Sequence, residues 1–250
     1  MSTHLRVATL NILNLADRWP ERLPLLLADM AAIGPDLLGL QEVVYVMQQD
    51  RLLGAAGEGQ YEIVRGWAGR PEYGNSLLAR SPLVPEAVDR LDLGLGRSAV
   101  RARLMLTGGS ALLFAATHLH HAVGAATERL QQAEQLVAWL DTAPAHDALI
   151  VVGDFNADPS EPTYAHLVDA GFRSAFATAN GVEPPVTWPS GLQAPAMDTE
   201  GDPACLDYVW VRGSVDVRNA RLAWDRPAVG DPTLYPSDHL GIVADVVVGR

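Results

Sequence analysis

Five times along this chain, a short and nearly unbroken apolar run sits directly against a carboxylate, an amide or an imidazole. The segments are Thr9-Leu10-Asn11, Leu38-Gly39-Leu40-Gln41-Glu42, Thr117-His118-Leu119-His120-His121 and Val151-Val152-Gly153-Asp154-Phe155-Asn156. The fifth has two parts, Leu206-Asp207-Tyr208 and Ser237-Asp238-His239, the latter just before Ile242. Runs this apolar are filled best by strands covered on both faces. A charge left unpaired inside such a fold is costly. The polar groups are therefore expected where strand ends meet at one sheet edge and can converge into a site.

The rest of the chain supplies the partners for these strands. Further strands are expected at Leu5–Leu10, Asp36–Gln41, Tyr61–Arg65, Ser76–Ala79, Val84–Leu91, Ala99–Leu106, Ala111–Thr117, Leu149–Val152, Leu206–Val211, Val215–Leu222 and Ile242–Val248, with Gly108-Gly109 as a hairpin turn. Helical spacing marks Glu21–Ile33, with Pro24 in the first turn, and Thr127–Leu140, where Leu130, Ala133, Leu136, Val137 and Leu140 share a face. A shorter helix is expected at Pro162–Ala170, stopped by Gly171, and a proline- and glycine-rich loop at Pro184–Thr199. Many strands, few helices and continuous apolar runs imply two mixed sheets packed face to face with helices on the outer faces. That is a four-layer α/β/β/α sandwich. No repeat or linker interrupts it, so residues 1–250 are expected to form one domain and a monomer.

Composition narrows the chemistry. All 18 basic residues are arginines, which removes lysine Schiff bases and the phosphate-binding lysine of a P-loop. The net charge of −12 disfavours duplex nucleic acid as a partner held by bulk attraction. A polyanionic substrate would need a local arginine cluster or a metal ion. Cys205 is the only cysteine and reads as a small buried hydrophobe. No apolar run reaches the roughly 20 residues of a membrane span. The N-terminal residues lack a secretory layout, so the cytoplasm is the expected location.

Singly, each polar motif has a bland reading. An asparagine closing a strand is often a turn former, and a glutamate after an apolar run often marks a solvent-facing boundary. Together they are two histidines, four acids and two asparagines, with no nucleophilic cysteine and no serine elbow. Alternation places His118 and His120 on one strand face and points Asp154 and Asn156 the same way. Asp207 is the better orienting partner for His239, because adjacent residues on extended chain point apart, leaving Asp238 free to face a metal. Oxygen donors favour Mg²⁺ or Mn²⁺ over zinc, and a hard cation beside an oriented histidine suits water attack on phosphorus.

The order of these motifs, with Ser237-Asp238-His239 last, resembles the endonuclease/exonuclease/phosphatase superfamily across nearly the whole chain. The resemblance implies the four-layer sandwich and a metal-dependent phosphate-ester hydrolase. It implies Glu42 as principal metal ligand, with Asn11 and Asp238 near the metal. It implies His239, oriented by Asp207, as the base, Asp154 and Asn156 as positioning groups, and His118 on the phosphate oxygen. Asn75, in Tyr73-Gly74-Asn75-Ser76, would reach the phosphate, Glu72 would support His118, and Arg129 would contact substrate or lie solvated on its helix. The competing reading is a phosphate-ligand binding protein of the same fold without catalysis.

Overall fold

The computed structural model describes residues 2–57, 59–67, 70–195, 197 and 201–249. Twelve strands and five helices follow in the order β1 (Thr3–Asn11), α1 (Trp19–Ile33), β2 (Leu37–Val44), α2 (Gln49–Ala56), β3 (Tyr61–Gly66), β4 (Tyr73–Arg80), β5 (Pro85–Gly94), β6 (Arg97–Met105), β7 (Ala111–His118), α3 (Ala126–Asp141), β8 (Ala148–Asp154), α4 (Pro162–Asp169), β9 (Arg173–Ser174), α5 (Ala175–Asn180), β10 (Asp207–Gly213), β11 (Val215–Ala223) and β12 (Gly241–Val248). One sheet runs β11-β12-β1-β2-β4-β3 and the other β5-β6-β7-β8-β10-β9. Each is mixed and holds one parallel pair, β1 with β2 and β7 with β8. A parallel pair needs a long crossover. The amphipathic helices α1 and α3 supply it.

Strand alternation sorts the apolar side chains into three layers, which makes the four-layer sandwich. Val7, Val100, Phe114, Val152 and Val209 fill the space between the sheets. Leu10, Leu38 and Leu40 face the other way and meet Leu26 and Met30 of α1. Leu113, Leu149 and Trp210 meet Leu136 and Leu140 of α3. No helix among the described residues is long and apolar enough to cross a membrane.

Differences from expectation are local. Helix α1 begins at Trp19 with Pro20 in its first turn, so Pro24 falls in the second turn. Helices α2 and α5 and the two-residue strand β9 carry too short a pattern to stand out in the sequence. The expected loop at 184–199 contains no helix or strand among its described residues, with Trp188 in a single bridge to Ala204; Thr199 lies outside the described residues.

Candidate active site

The parallel pairs set the site. Asn11 ends β1, Glu42 lies near the end of β2, His118 ends β7 and Asp154 ends β8. Ligand sites of α/β sheets form outside such carboxyl ends. Register does the rest in the second sheet. Asp154 pairs with His118 on one side and with Asp207 on the other, so three neighbouring strands present these groups at one level. Gly153 permits this alignment, because a Cβ there would lie 2.1 Å from the Thr117 carbonyl oxygen. The first sheet delivers Asp238 and His239 from the turn before β12. Asn11, Glu42, His118, Asp154, Asp238 and His239 surround one cleft of about 630 Å³.

His239 is 5% exposed and Asp207 is fully buried beneath it. Imidazole Nδ1 lies 2.8 Å from Asp207 Oδ2, and Nε2 faces Asp154 Oδ2 at 3.6 Å. Burial opposes charge on the ring, but Asp207, Asp154 and Asp238 outweigh it and raise the His239 pKa well above the usual value. Burial pushes the Asp154 carboxyl up to about 6, with Asp207 adding to the rise while His239, Asn11 and the Asn156 N–H oppose it. Asp154 Oδ1 accepts the Asn156 N–H at 2.9 Å. Asn156 adopts a left-handed φ of 49°, so extended chain does not continue past Asp154. Both side chains still line the cleft, through a turn rather than through strand alternation.

Glu42 faces this cluster from the first sheet. It has a left-handed φ of 60° where β2 slips register against β4 between Leu40 and Val43. Strain of this kind in a non-glycine residue gathers at functional sites, and here the bulge re-aims a carboxylate. The Asn11 amide donates to Glu42 Oε1 at 3.3 Å and to Asp154 Oδ2 at 3.1 Å, joining the two sheets. Asn14 donates to Glu42 Oε2 at 2.8 Å. Burial raises the Asp238 pKa and the Glu42 charge raises it further. Asn11 Oδ1 accepts the Leu13 N–H at 3.0 Å, and the two carboxylates, Glu42 and Asp238, with no ion pair to an arginine among the described residues, form an oxygen donor set that fits a hard divalent cation. Asp154, Asp207 and His239 also bring ligand atoms within 4.8 Å of one another. The His239 Nδ1–Asp207 hydrogen bond at 2.8 Å already engages two of these groups with each other, so the carboxylate set of Glu42 and Asp238 is the better fit.

The third wall holds one guanidinium and two imidazoles. His118 Nε2 lies 3.4 Å from Asp154 Oδ2, and burial, with Arg97 beside it, holds the His118 pKa well below the usual value. Arg97 opens β6 and reaches both His118 and His121. Ala122, Val123, Trp188 and Leu206 also line the cleft and add apolar surface to it.

Four expectations are corrected. The strand ends at His118, so alternation stops there and His121, not His120, lines the cleft. Glu72 is exposed and does not line the cleft; Asp154 is the carboxylate beside His118. Asn75 is buried and does not line the cleft, and its amide donates to the Ser98 carbonyl at 2.8 Å. Arg129 borders the cleft but is neither solvated nor free: it is 4% exposed, donates twice to Glu161 at 2.9 and 2.8 Å, and holds the Ala122 carbonyl. Cys205 is buried as expected, and burial raises its thiol pKa.

Several residues that build the site carry no strand-end signature. Arg22 is fully buried and donates to the carbonyls of Ile12, Leu13, Ala16, Asp17 and Pro236. It binds the loop after Asn11 to the turn before Asp238. Burial brings its pKa down to about 10, so it stays cationic at neutral pH. The Thr187 hydroxyl accepts the N–H groups of Leu206 and Asp207, and its carbonyl accepts the Leu240 N–H at 2.7 Å. The 184–199 loop therefore sets both members of the Asp207–His239 pair. Ser237 Oγ donates to the Asn11 carbonyl at 2.6 Å. Ser237 belongs to the last polar motif, and Asn14, the second asparagine in Asn11-Ile12-Leu13-Asn14, is a further sequence signal near the site.

Known proteins resemble this chain in sequence and fold. The model described as "Endonuclease/Exonuclease/phosphatase family" matches residues 8–239. Nocturnin of Homo sapiens is 31% identical over 256 residues, covering 91% of this chain and 58% of that protein. The chain thus spans about three fifths of the length of the curated relatives it matches. The structure of the human Nocturnin catalytic domain with bound sulfate superposes with a TM-score of 0.77 at 26% identity, covering 97% of this chain and 93% of that one. D. rerio TDP2 complexed with single strand DNA product has the same fold, with a TM-score of 0.80 at 18% identity over 98% of this chain and 99% of that one.

Proposed function

The chain belongs to the endonuclease/exonuclease/phosphatase family, and from that premise we propose that it hydrolyses phosphate esters, phosphodiesters foremost, with a divalent cation. Mg²⁺ is the natural choice and Mn²⁺ its substitute. The observation that carries this reading is the Asp207–His239–Asp154 cluster facing Glu42, Asn11 and Asp238 across one cleft. We take residues 1–250 as one catalytic domain.

Glu42 and Asp238 would hold the cation with Asn11, directly or through water. A bound cation supplies Lewis-acid polarisation of the phosphoryl oxygen and neutralises charge there. His239 Nε2 takes the proton of the attacking water. Asp207 fixes the Nδ1–H tautomer and stabilises the imidazolium that forms. Asp154 and Asn156 orient the water and the phosphate. His118 holds a phosphoryl oxygen and sits beside the leaving group. Groups already fixed by buried partners need no reorganisation as charge builds on phosphorus, which is usually the largest catalytic contribution.

The test is hydrolysis of a phosphate-ester panel with Mg²⁺, Mn²⁺ and EDTA. The panel holds bis-p-nitrophenyl phosphate, p-nitrophenyl phosphate, single- and double-stranded DNA, RNA, sphingomyelin and inositol phosphates. Single-stranded DNA belongs there because D. rerio TDP2 was crystallised with a single strand DNA product. Metal-dependent cleavage is expected, with His239→Ala lowering turnover by about two orders of magnitude or more. Folded protein that binds Mg²⁺ and phosphate but cleaves nothing would favour the non-catalytic binding protein.

A further inference from the structure

A second cavity, of about 560 Å³, lies between α1, α5 and β11. It shares no lining residue with the cleft. Its origin is a sheet edge. β11 is the outermost strand of its sheet, so no further strand covers it. The six-residue helix α5 lies alongside instead, and its Asn180 amide donates to the Ala220 carbonyl of β11 at 3.0 Å. From α1 come Asp29, Ala32 and Ile33, whose spacing of three and four puts them on one helix face. Where β11 ends, the chain turns at Trp224 with a left-handed φ of 51°, and Asp225 and Arg226 complete the lining.

The lining combines apolar surface with charges of both signs. Ile33, Phe176 and Leu222 supply the apolar part. Asp29, Asp225, Arg221 and Arg226 are the charged members. They stand near enough to act on one another: burial raises the Asp29 pKa and Asp225 adds to the rise, while Arg226 and Arg221 oppose it. Yet none of the four is ion-paired among the described residues. Arg6, Arg18, Arg80 and Arg212, also only partly buried, each have a carboxylate partner. Trp224 is 1% exposed, and its indole N–H is buried without an acceptor among the described residues. Leaving such a donor unpaired is costly. Trp224 is itself part of the lining, so an oxygen seated in the cavity would remove that cost.

These features select a ligand class. An anion alone, or a cation alone, would meet like charges as well as opposite ones, and like-charge contacts are penalised. A molecule carrying both signs is matched by both aspartates and both arginines. The apolar surface calls for a hydrocarbon body as well. The volume falls within the range of about 300–1,000 Å³ typical of small-molecule sites. We propose that this cavity is a binding site for a small zwitterion with an apolar body, of the class of a free α-amino acid bearing an aromatic or branched side chain. Arg221, Arg226 and the Trp224 N–H receive its carboxylate, and Asp29 and Asp225 receive its ammonium group. A guanidinium suits a carboxylate because it can donate two parallel hydrogen bonds to it. The site stands apart from the cleft, so it does not depend on the phosphate-ester reading.

The test is calorimetric titration of four compounds into the full chain. Phenylalanine is the zwitterion with an apolar body. Phenethylamine lacks the carboxylate, 3-phenylpropanoate lacks the ammonium group, and glycine lacks the apolar body. Phenylalanine should bind with a Kd of about 1 mM or tighter, and each of the other three at least about tenfold more weakly. Ala32→Trp, at an exposed position on the lining, places a bulky ring in the cavity and should abolish binding. Arg226→Gln should weaken phenylalanine by at least about threefold and leave phenethylamine unchanged. Should Ala32→Trp fail to fold, Arg226→Gln, also at an exposed position, carries the test. No binding of phenylalanine at about 10 mM, equal affinity for phenylalanine and any of the other three, or binding that survives both substitutions would overturn the site.

Discussion

A buried imidazole held by a buried carboxylate makes a pH-dependent prediction with a definite sign. Asp207 favours the charged form of His239, against burial. A general base works only when neutral. Turnover should therefore rise with pH as His239 loses its proton and fall on the acid side. In Asp207→Asn the charge that favours imidazolium is gone, so the His239 pKa drops and the acid limb of the pH–rate profile should move to lower pH. The maximal rate should also drop by more than an order of magnitude, because asparagine can select the wrong tautomer. A profile that keeps its midpoint would detach Asp207 from the base. On the facing wall, Glu42→Gln keeps the size of the side chain and removes one charge from the donor set. The Mg²⁺ concentration for half-maximal activity should rise at least about tenfold while thermal stability is kept, since carboxylate charge sets affinity for hard cations. An unchanged metal requirement would place the cation elsewhere.

Elements are held in position here by buried polar side chains as well as by packing. Arg22, on α1, gathers five carbonyls from two loops that carry Asn11 and lead to Asp238. Arg22→Met leaves those acceptors buried and loses charge-assisted hydrogen bonds. It should lower stability by about 3 kcal/mol in chemical denaturation. It should also weaken Mg²⁺-dependent turnover, because both loops lose their anchor. A loss of stability with turnover per folded molecule intact would show that α1 is held independently of the site. Arg129 plays the matching part for α3, tying it to the 120–122 segment and to Glu161. Helix spacing marked α1 and α3 in the sequence, but nothing in that spacing separates an arginine that reaches inward from one that is solvated. Long side chains on a helix rim can do either.

At the scale of the molecule, the site depends on how closely two sheets approach. Gly39 of β2 faces the second sheet, where a Cβ would meet Val152 Cγ2 at 2.2 Å and Ala116 Cβ at 3.2 Å. Gly39→Ala should cost about 1–3 kcal/mol by overpacking, and adding Val152→Ala should recover part of the loss. No recovery in denaturation curves would mean that the sheets are not in register at this contact. The alternating apolar pattern, the two amphipathic crossovers and the polar strand ends are properties of short stretches of chain, so the layers and most of the site residues were legible in the sequence. Asn11, Glu42, His118, Asp154, Asn156, Asp238 and His239 all line the one cleft, and Asp207 lies beneath His239. Contacts between distant segments were not legible. Which carboxylate stands beside His118, that Asn75 turns to Ser98, that His121 rather than His120 meets the cleft, and that Thr187 and Arg22 hold the site together depend on where strands end and on register across the sheets. Local sequence specifies which face of a strand is apolar; only the packed sheets decide which strand ends lie within hydrogen-bond reach.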